Sequence, residues 1–208
     1  MYHLCASTAV FSMIVSLLLI YFIEQLAVDT LTTGAAALVA LVTSVMGAGL
    51  SPLLNRVMPI KSTLMLSMGL CTLFTALGPV LFYRPDQVYA PHVIMGVYGL
   101  LFVAYFNSNL SMFAGLVLGG EEAEYCGLAE FFAYILRFFP PLMWVAIVQG
   151  VEVDAHRWAW GHFSVYFLVA AGILCTVDPK KGEQAVAESA RQRRLGIQVM
   201  ESVVVQDP

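Results

Sequence analysis

The sequence predicts an all-α, polytopic membrane protein with six transmembrane helices. Of its 208 residues, 60% are hydrophobic and only 12% are charged, and the mean hydropathy is +0.81. That balance leaves too little polar surface for a water-soluble protein. The apolar residues gather in windows of ~20, the helix length that crosses a hydrocarbon layer of ~30 Å. These windows fall at about residues 6–24, 33–55, 62–83, 91–116, 124–149 and 159–177. The stretches between them are short, so no soluble catalytic domain can be built. Residues 1–178 are expected to form the transmembrane domain and residues 179–208 a cytoplasmic tail.

The first window starts almost at the N-terminus, without Lys or Arg before it, and its apolar run is too long for a signal peptide. It ends in YFIEQLAVDTLTTG, where Glu24 and Asp29 suit a membrane boundary, although Glu24 could also line a pathway. Window two, GAAALVALVTSVMGAGLSPLLNR, is rich in small residues, including Gly47, Gly49 and Ser51, and should let another helix approach its backbone closely. A turn carrying Pro52, Pro59, Arg56 and Lys61 is expected after it. Window three holds Gly69, Gly78 and Pro79 and closes at Tyr83, a position for the interfacial aromatic belt; it reads as scaffold. Window four places Gly96 and Gly99 early, then Asn107, Ser108 and Asn109. Polar amides in hydrocarbon need partners, supplied by substrate or by another helix.

Window five is the most distinctive. A central Arg or carboxylate costs ~2.5 to 3.5 kcal/mol on the insertion scale, and each Leu, Ile, Phe or Val returns only ~0.3 to 0.6. Glu130 and Arg137 therefore offset roughly a dozen apolar residues. At helical spacing Glu130, Tyr134, Arg137 and Pro141 share a face. That stripe should point into a helix bundle or a wet cavity, or staple Glu130 and Arg137 to neighbouring helices. Pro140 and Pro141 should break or kink the helix. After it, GVEVDAHRWAWGH offers Trp158 and Trp160 as interface anchors, and window six follows. The tail could form a surface helix from Gly182 to Leu195, stopped at Gly196, with weak attraction to anionic lipid.

Orientation follows from the basic residues. Arg56, Lys61, Lys180, Lys181, Arg191, Arg193 and Arg194 fall on one side, Arg84 and Arg157 on the other, so both termini should be cytoplasmic. Cys5, Cys71, Cys126 and Cys175 lack metal spacing and read as unpaired thiols, and His3, His92, His156 and His162 are scattered. No metal, cofactor or catalytic residue is assigned. Nucleotide-binding and hydrolase motifs are absent, as is the basic aromatic surface that nucleic acid requires, and no convergent nucleophile and base set suggests an enzyme. The net charge of -4 says little about partners.

The run Gly120-Glu121-Glu122-Ala123-Glu124-Tyr125-Cys126-Gly127-Leu128 resembles the signature of the autophagy-related protein 22-like branch of the major facilitator superfamily. That signature reads Gly, any residue, Glu-Ala-Glu, two aromatics, Gly and Leu. Leu118, Glu121, Cys126 and Ala129 stand where other residues are usual. The stretch Ser51-Pro52-Leu53-Leu54-Asn55-Arg56 is similar to the superfamily's cytoplasmic loop motif, with Asn55 at the usual Asp and Arg56 retained. The resemblance implies half of a major facilitator fold, the C-terminal six helices, built as two three-helix units. It further implies efflux of amino acids from a vacuole or lysosome after autophagic breakdown. Asn107, Glu130, Tyr134 and Arg137 would then be the substrate-cavity candidates, Gly120, Glu122, Ala123, Glu124 and Gly127 the family motif loop, and Asn55 with Arg56 the cytoplasmic gating loop. The implied partners are an amino acid, membrane lipid, and a second transporter half or a second copy. A non-transporting remnant or interaction protein that pairs with a full-length transporter is the alternative.

Overall fold

The structure is a computed structural model that describes the backbone of residues 2–151 and 154–204 and the side chains of residues 13–151 and 154–192. His3, Cys5, Arg193 and Arg194 fall outside the described side chains. The described residues form helices and no strands: α1 (Tyr2–Glu24), α2 (Thr30–Val57), α3 (Ile60–Leu81), α4 (Ala90–Leu116), α5 (Glu122–Leu136), α6 (Phe139–Gly150), α7 (Ala155–Gly161), α8 (Phe163–Thr176) and α9 (Pro179–Val204). Five are long and apolar enough to cross a membrane, counting α5 with α6 (Glu122–Gly150) and α7 with α8 (Ala155–Thr176) as one each. Ahead of them the described apolar part of α1 is shorter, Met13–Glu24.

The break between α5 and α6 lies at Arg137 and Phe138, one turn before the two prolines. Neither Pro140 nor Pro141 can donate to the carbonyl four residues back, at Leu136 or Arg137, and each ring crowds that turn. The expected kink is therefore present and is placed by the prolines themselves.

The helices pack in a paired pattern. The most extensive contact is α2 on α4, while α5 lies on α1; α3 meets α4, while α8 meets α1; and α3 and α8 meet each other. Exchanging α1, α2 and α3 for α4, α5 with α6, and α7 with α8 maps the first four of these contacts onto one another in pairs and leaves the fifth unchanged. The two edge helices, α2 and α5, keep broad open apolar faces: Leu38, Leu41, Val45 and Met46 on α2, and Leu128, Phe131 and Ile135 on α5, are all exposed. In water such a surface would drive aggregation; in a bilayer it meets acyl chains.

The expected close approach on the second window is made by α4. A side chain at Gly47 would overlap the Leu100 carbonyl, and one at Gly99 would overlap the Ala40 carbonyl and the Thr43 hydroxyl. Ser44 donates to the Gly99 carbonyl across the same seam at 3.3 Å. Gly49, on the open side of α2, meets nothing, so the small residues of this helix have two different surroundings.

Three expectations are corrected by the packing. Ser51 to Arg56 is not a turn: α2 continues through Pro52 to Val57, and only Met58 and Pro59 separate it from α3. Pro52 is tolerated because it sits in the last turns of a long packed helix, where one missing ladder bond is offset by contacts to α4. Trp160 is not an interface anchor but a fully buried core residue. Its indole lies against Gly78, packs on Tyr21 and Phe74, and donates from Nε1 to the Tyr98 hydroxyl at 3.2 Å. Tyr98 in turn pairs with Thr75 at 2.8 Å, so the buried polar atoms satisfy one another. Trp158, on the same helix, is exposed as an interface residue should be. Finally, α9 begins at Pro179, ahead of Gly182, and runs through Gly196. Asp178 accepts from the backbone of Lys180 and Lys181 and so caps its start, and an interior glycine costs only ~1 kcal/mol relative to alanine.

Candidate functional site

The start of α5 is set by its acidic loop. Gly120 adopts a positive φ of 93°, which a residue without Cβ accepts readily. Its N–H donates to a Glu122 carboxylate oxygen at 2.8 Å, reaching back across the turn. Glu122 and Glu124 occupy the first helical turn, where negative charge complements the helix dipole. Glu122, Ala123, Glu124 and Gly127 are exposed, and nothing packs within 4 Å of the missing Gly127 side chain. The loop thus has a local structural role, its turn at Gly120 fixed by the Glu122 side chain.

Around the α5 axis, at about 100° per residue, Ala129 and Ala133 form one edge, Glu130, Tyr134 and Arg137 the next sector, and Leu128, Phe131 and Ile135 the one beyond. The burial follows this order. Ala129 and Ala133 are buried, Glu130 and Tyr134 exposed, and Arg137 half-buried. The polar stripe therefore does not point into the bundle formed by this chain; it lies on the outer face of α5, between the small-residue seam and the apolar side. The small side chains of Ala129 and Ala133 explain this, because they let α5 seat against its neighbour on that edge and turn the larger polar groups outward.

Within the stripe, the Arg137 guanidinium stacks over the Tyr134 ring at 4.3 Å, an arrangement that suits a planar cation. Its Nε is buried and has no hydrogen-bond partner. No ion pair joins Glu130 and Arg137; seven residues of helical rise separate them by ~10 Å. The two charges do not pair with each other, and both keep free hydrogen-bonding capacity.

Asn107 on α4 is half-buried and forms no hydrogen bond to Glu130, Tyr134 or Arg137. Its neighbours carry the polar contact instead. The Ser108 hydroxyl pairs with that of Ser51 at 2.9 Å and receives a bond from Asn55 Nδ2 at 3.4 Å. The side-chain carbonyl oxygens of Asn55 and Asn109 are buried without partners. Asn55 is thus a half-buried member of the α2–α4 seam, whereas Arg56, one residue on, is exposed in the last turn of α2. The sequence marked Asn107 to Asn109 as one polar group. Its buried Ser108 meets Ser51, which continues the seam where Ala40 and Thr43 face Gly99 and Gly47 faces Leu100, a helical spacing that could have identified Ser108.

Lys61 and Arg157 lie at opposite ends of the bundle. At one end Lys61 bonds from Nζ to the carbonyls of Cys175, at 3.0 Å, and Val177, at 2.6 Å. It satisfies the open end of α8, a role not legible in the sequence. At the other end Arg157 donates to the Pro79 carbonyl, stacks on Tyr83 at 4.4 Å and pairs with Asp154 at 3.4 Å. Cys71, Cys126 and Cys175 are free thiols, and among the described residues no group of His, Cys, Asp and Glu could hold a metal ion. No family model, curated protein or solved structure matches the chain.

Proposed function

We propose that this chain is a six-span membrane domain equivalent to one half of a major facilitator transporter, and that it exports amino acids from a vacuole or lysosome by alternating access. The observation that carries this reading is the uncovered charged stripe of α5. Arg137 stands fifteen residues from Glu122 and thirteen from Gly150, the ends of that long helix, or ~20 Å from either at 1.5 Å per residue. It cannot readily snorkel to water. A guanidinium at that depth, and a carboxylate ~10 Å nearer the helix start, need protein or water over them, and this chain leaves Glu130 exposed and Arg137 only half-buried. A second half, or a second copy, laid against the edge helices would enclose them in a cavity at mid-membrane.

Two further features support the reading. The interchange of helix contacts between the two three-helix units fits the nested repeats of this fold class. The free carboxylate of Glu130 and the unpaired guanidinium of Arg137 offer opposite charges, suited to the ammonium and carboxylate of an amino acid. Arg137 would bind the carboxylate through its fork, Glu130 the ammonium, Tyr134 would orient the guanidinium, and Asn107 would contribute a neutral amide.

A second reading is favoured by the same exposed stripe: an interaction protein that docks α5 on a full-length transporter without moving solute itself. Amino-acid efflux from isolated vacuoles or proteoliposomes separates the two. Transport predicts saturable efflux that falls when Arg137→Lys removes the fork and leaves the charge. Flux that depends wholly on a co-expressed transporter, and ignores both Arg137→Lys and Glu130→Gln, would favour the interaction protein.

A further inference from the structure

Where α3 begins and α8 ends, a cavity of about 640 Å3 opens between α3, α4, α8 and the start of α9. Its size suits a small-molecule or headgroup site. Its wall carries Lys61 and Lys180 together with Asp178 and Glu183. Ile60, Met112, Leu116 and Val177 supply apolar surface, and Ser62 and Ser111 supply hydroxyls. The position is the end of the apolar spans, where lipid headgroups meet water.

The balance of charge decides what fits. A purely anionic headgroup would meet two carboxylates, and a purely cationic ligand two ammonium groups. A ligand with both charges a few ångströms apart meets a partner for each. Lys61 gives two of its three N–H groups to the Cys175 and Val177 carbonyls and keeps the third. Asp178 holds the α9 backbone through one carboxylate oxygen, leaving the other. Glu183 is exposed, with a carboxylate oxygen 4.0 Å from where a side chain at Gly115 would begin. The apolar wall demands more than a headgroup alone.

We propose that this cavity is a binding site for a zwitterionic phospholipid with a primary ammonium, the phosphoethanolamine class, its phosphate at Lys61 and Lys180 and its ammonium at Glu183 and Asp178. A trimethylated headgroup presents the same charge but no N–H donor for the carboxylates, and a phosphoglycerol headgroup presents no cation. The site depends on the membrane location of the chain and not on transport.

Native mass spectrometry of the full chain, released from mixed vesicles of phosphatidylethanolamine, phosphatidylcholine and phosphatidylglycerol, tests this. The expected result is several-fold preferential retention of phosphatidylethanolamine. Glu183→Gln, at an exposed position that no packing depends on, should abolish the preference over phosphatidylcholine. Lys180→Ala, equally exposed, should reduce retention of all phosphate-bearing lipids. Soluble glycerophosphoethanolamine, which lacks acyl chains, should not displace the lipid at equal concentration. Equal retention of the three lipids, preference for phosphatidylglycerol, an unaltered preference in Glu183→Gln, or displacement by the soluble headgroup would each overturn the proposal.

Discussion

Arg137 is the residue on which sequence and structure bear most directly. Its cost in hydrocarbon was readable from composition, and its position at the helix break follows from Pro140 and Pro141. Its surroundings were not readable, because which face of α5 is covered depends on the fit of Ala129 and Ala133 to another helix. With no ion pair to Glu130, the stability changes of Arg137→Ala and Glu130→Ala should add to within about 0.5 kcal/mol, as for independent sites. Thermal unfolding of the two single variants and the double variant in detergent measures this; a coupling well above that value would restore the staple. Trp160 gives the opposite case. Its neighbours in sequence suggest an interface anchor, whereas the groove that receives it is made by Gly78, Tyr21 and Tyr98, all distant along the chain. Trp160→Ala should cost ~3 to 5 kcal/mol, the range for deleting a buried aromatic, and should do so more than the same change at exposed Trp158.

At the scale of elements, the small residues of α2 separate into a packed face and an open one. Gly47→Ala and Gly99→Ala place a methyl against a partner backbone carbonyl and should each destabilise by ~1 to 3 kcal/mol, the usual cost of overpacking. Gly49→Ala meets open space and should be neutral or stabilising by up to ~1 kcal/mol, because alanine is the better helix former. Unfolding in a common detergent compares the three. Helix ends also carry a pH signature. The Asp29 side chain accepts from Thr32 at the start of α2, and that bond holds its carboxyl below the ordinary carboxylate range. A depressed folded value means that the cap contributes above the unfolded carboxylate pKa and is lost as pH falls through the folded one. Asp29→Asn, which still caps, should flatten that acid limb of a stability profile and leave neutral pH nearly unchanged. The break at Pro140 and Pro141 was legible in the sequence, whereas Asp29 suggested a membrane boundary and not a cap. The continuation of α2 through Pro52 and of α9 through Gly196 was not legible, because packing and helix length override a single unfavourable residue.

For the whole molecule, an all-α chain of long apolar helices was legible because composition and window length alone determine it. The contact pattern, α2 on α4 and α5 on α1, required the structure, since small-residue spacing shows that a helix is approached but not by which neighbour. The two ends of the bundle give a topological prediction. In a background with the native cysteines replaced, Asp86→Cys and Gln184→Cys, both at exposed positions at opposite ends, should react with an impermeant thiol reagent from opposite sides of the membrane. Labelling from the same side would contradict the arrangement of spans. On the proposed function a second copy or a partner half covers the charged stripe, so crosslinking in native membranes should capture one against α5.

On the proposed function, the outer face of α5 borders water inside the membrane while the adjacent sector borders lipid. Tyr134→Cys and Ile135→Cys lie side by side on one helix and are both exposed in the isolated chain, so they share depth and differ in direction. Their rates of reaction with a small water-soluble thiol reagent, measured in native membranes, test the claim directly. Tyr134→Cys should react readily and be slowed by saturating amino acid, while Ile135→Cys should stay unreactive. Two equally unreactive positions, or reaction at Ile135→Cys alone, would contradict it.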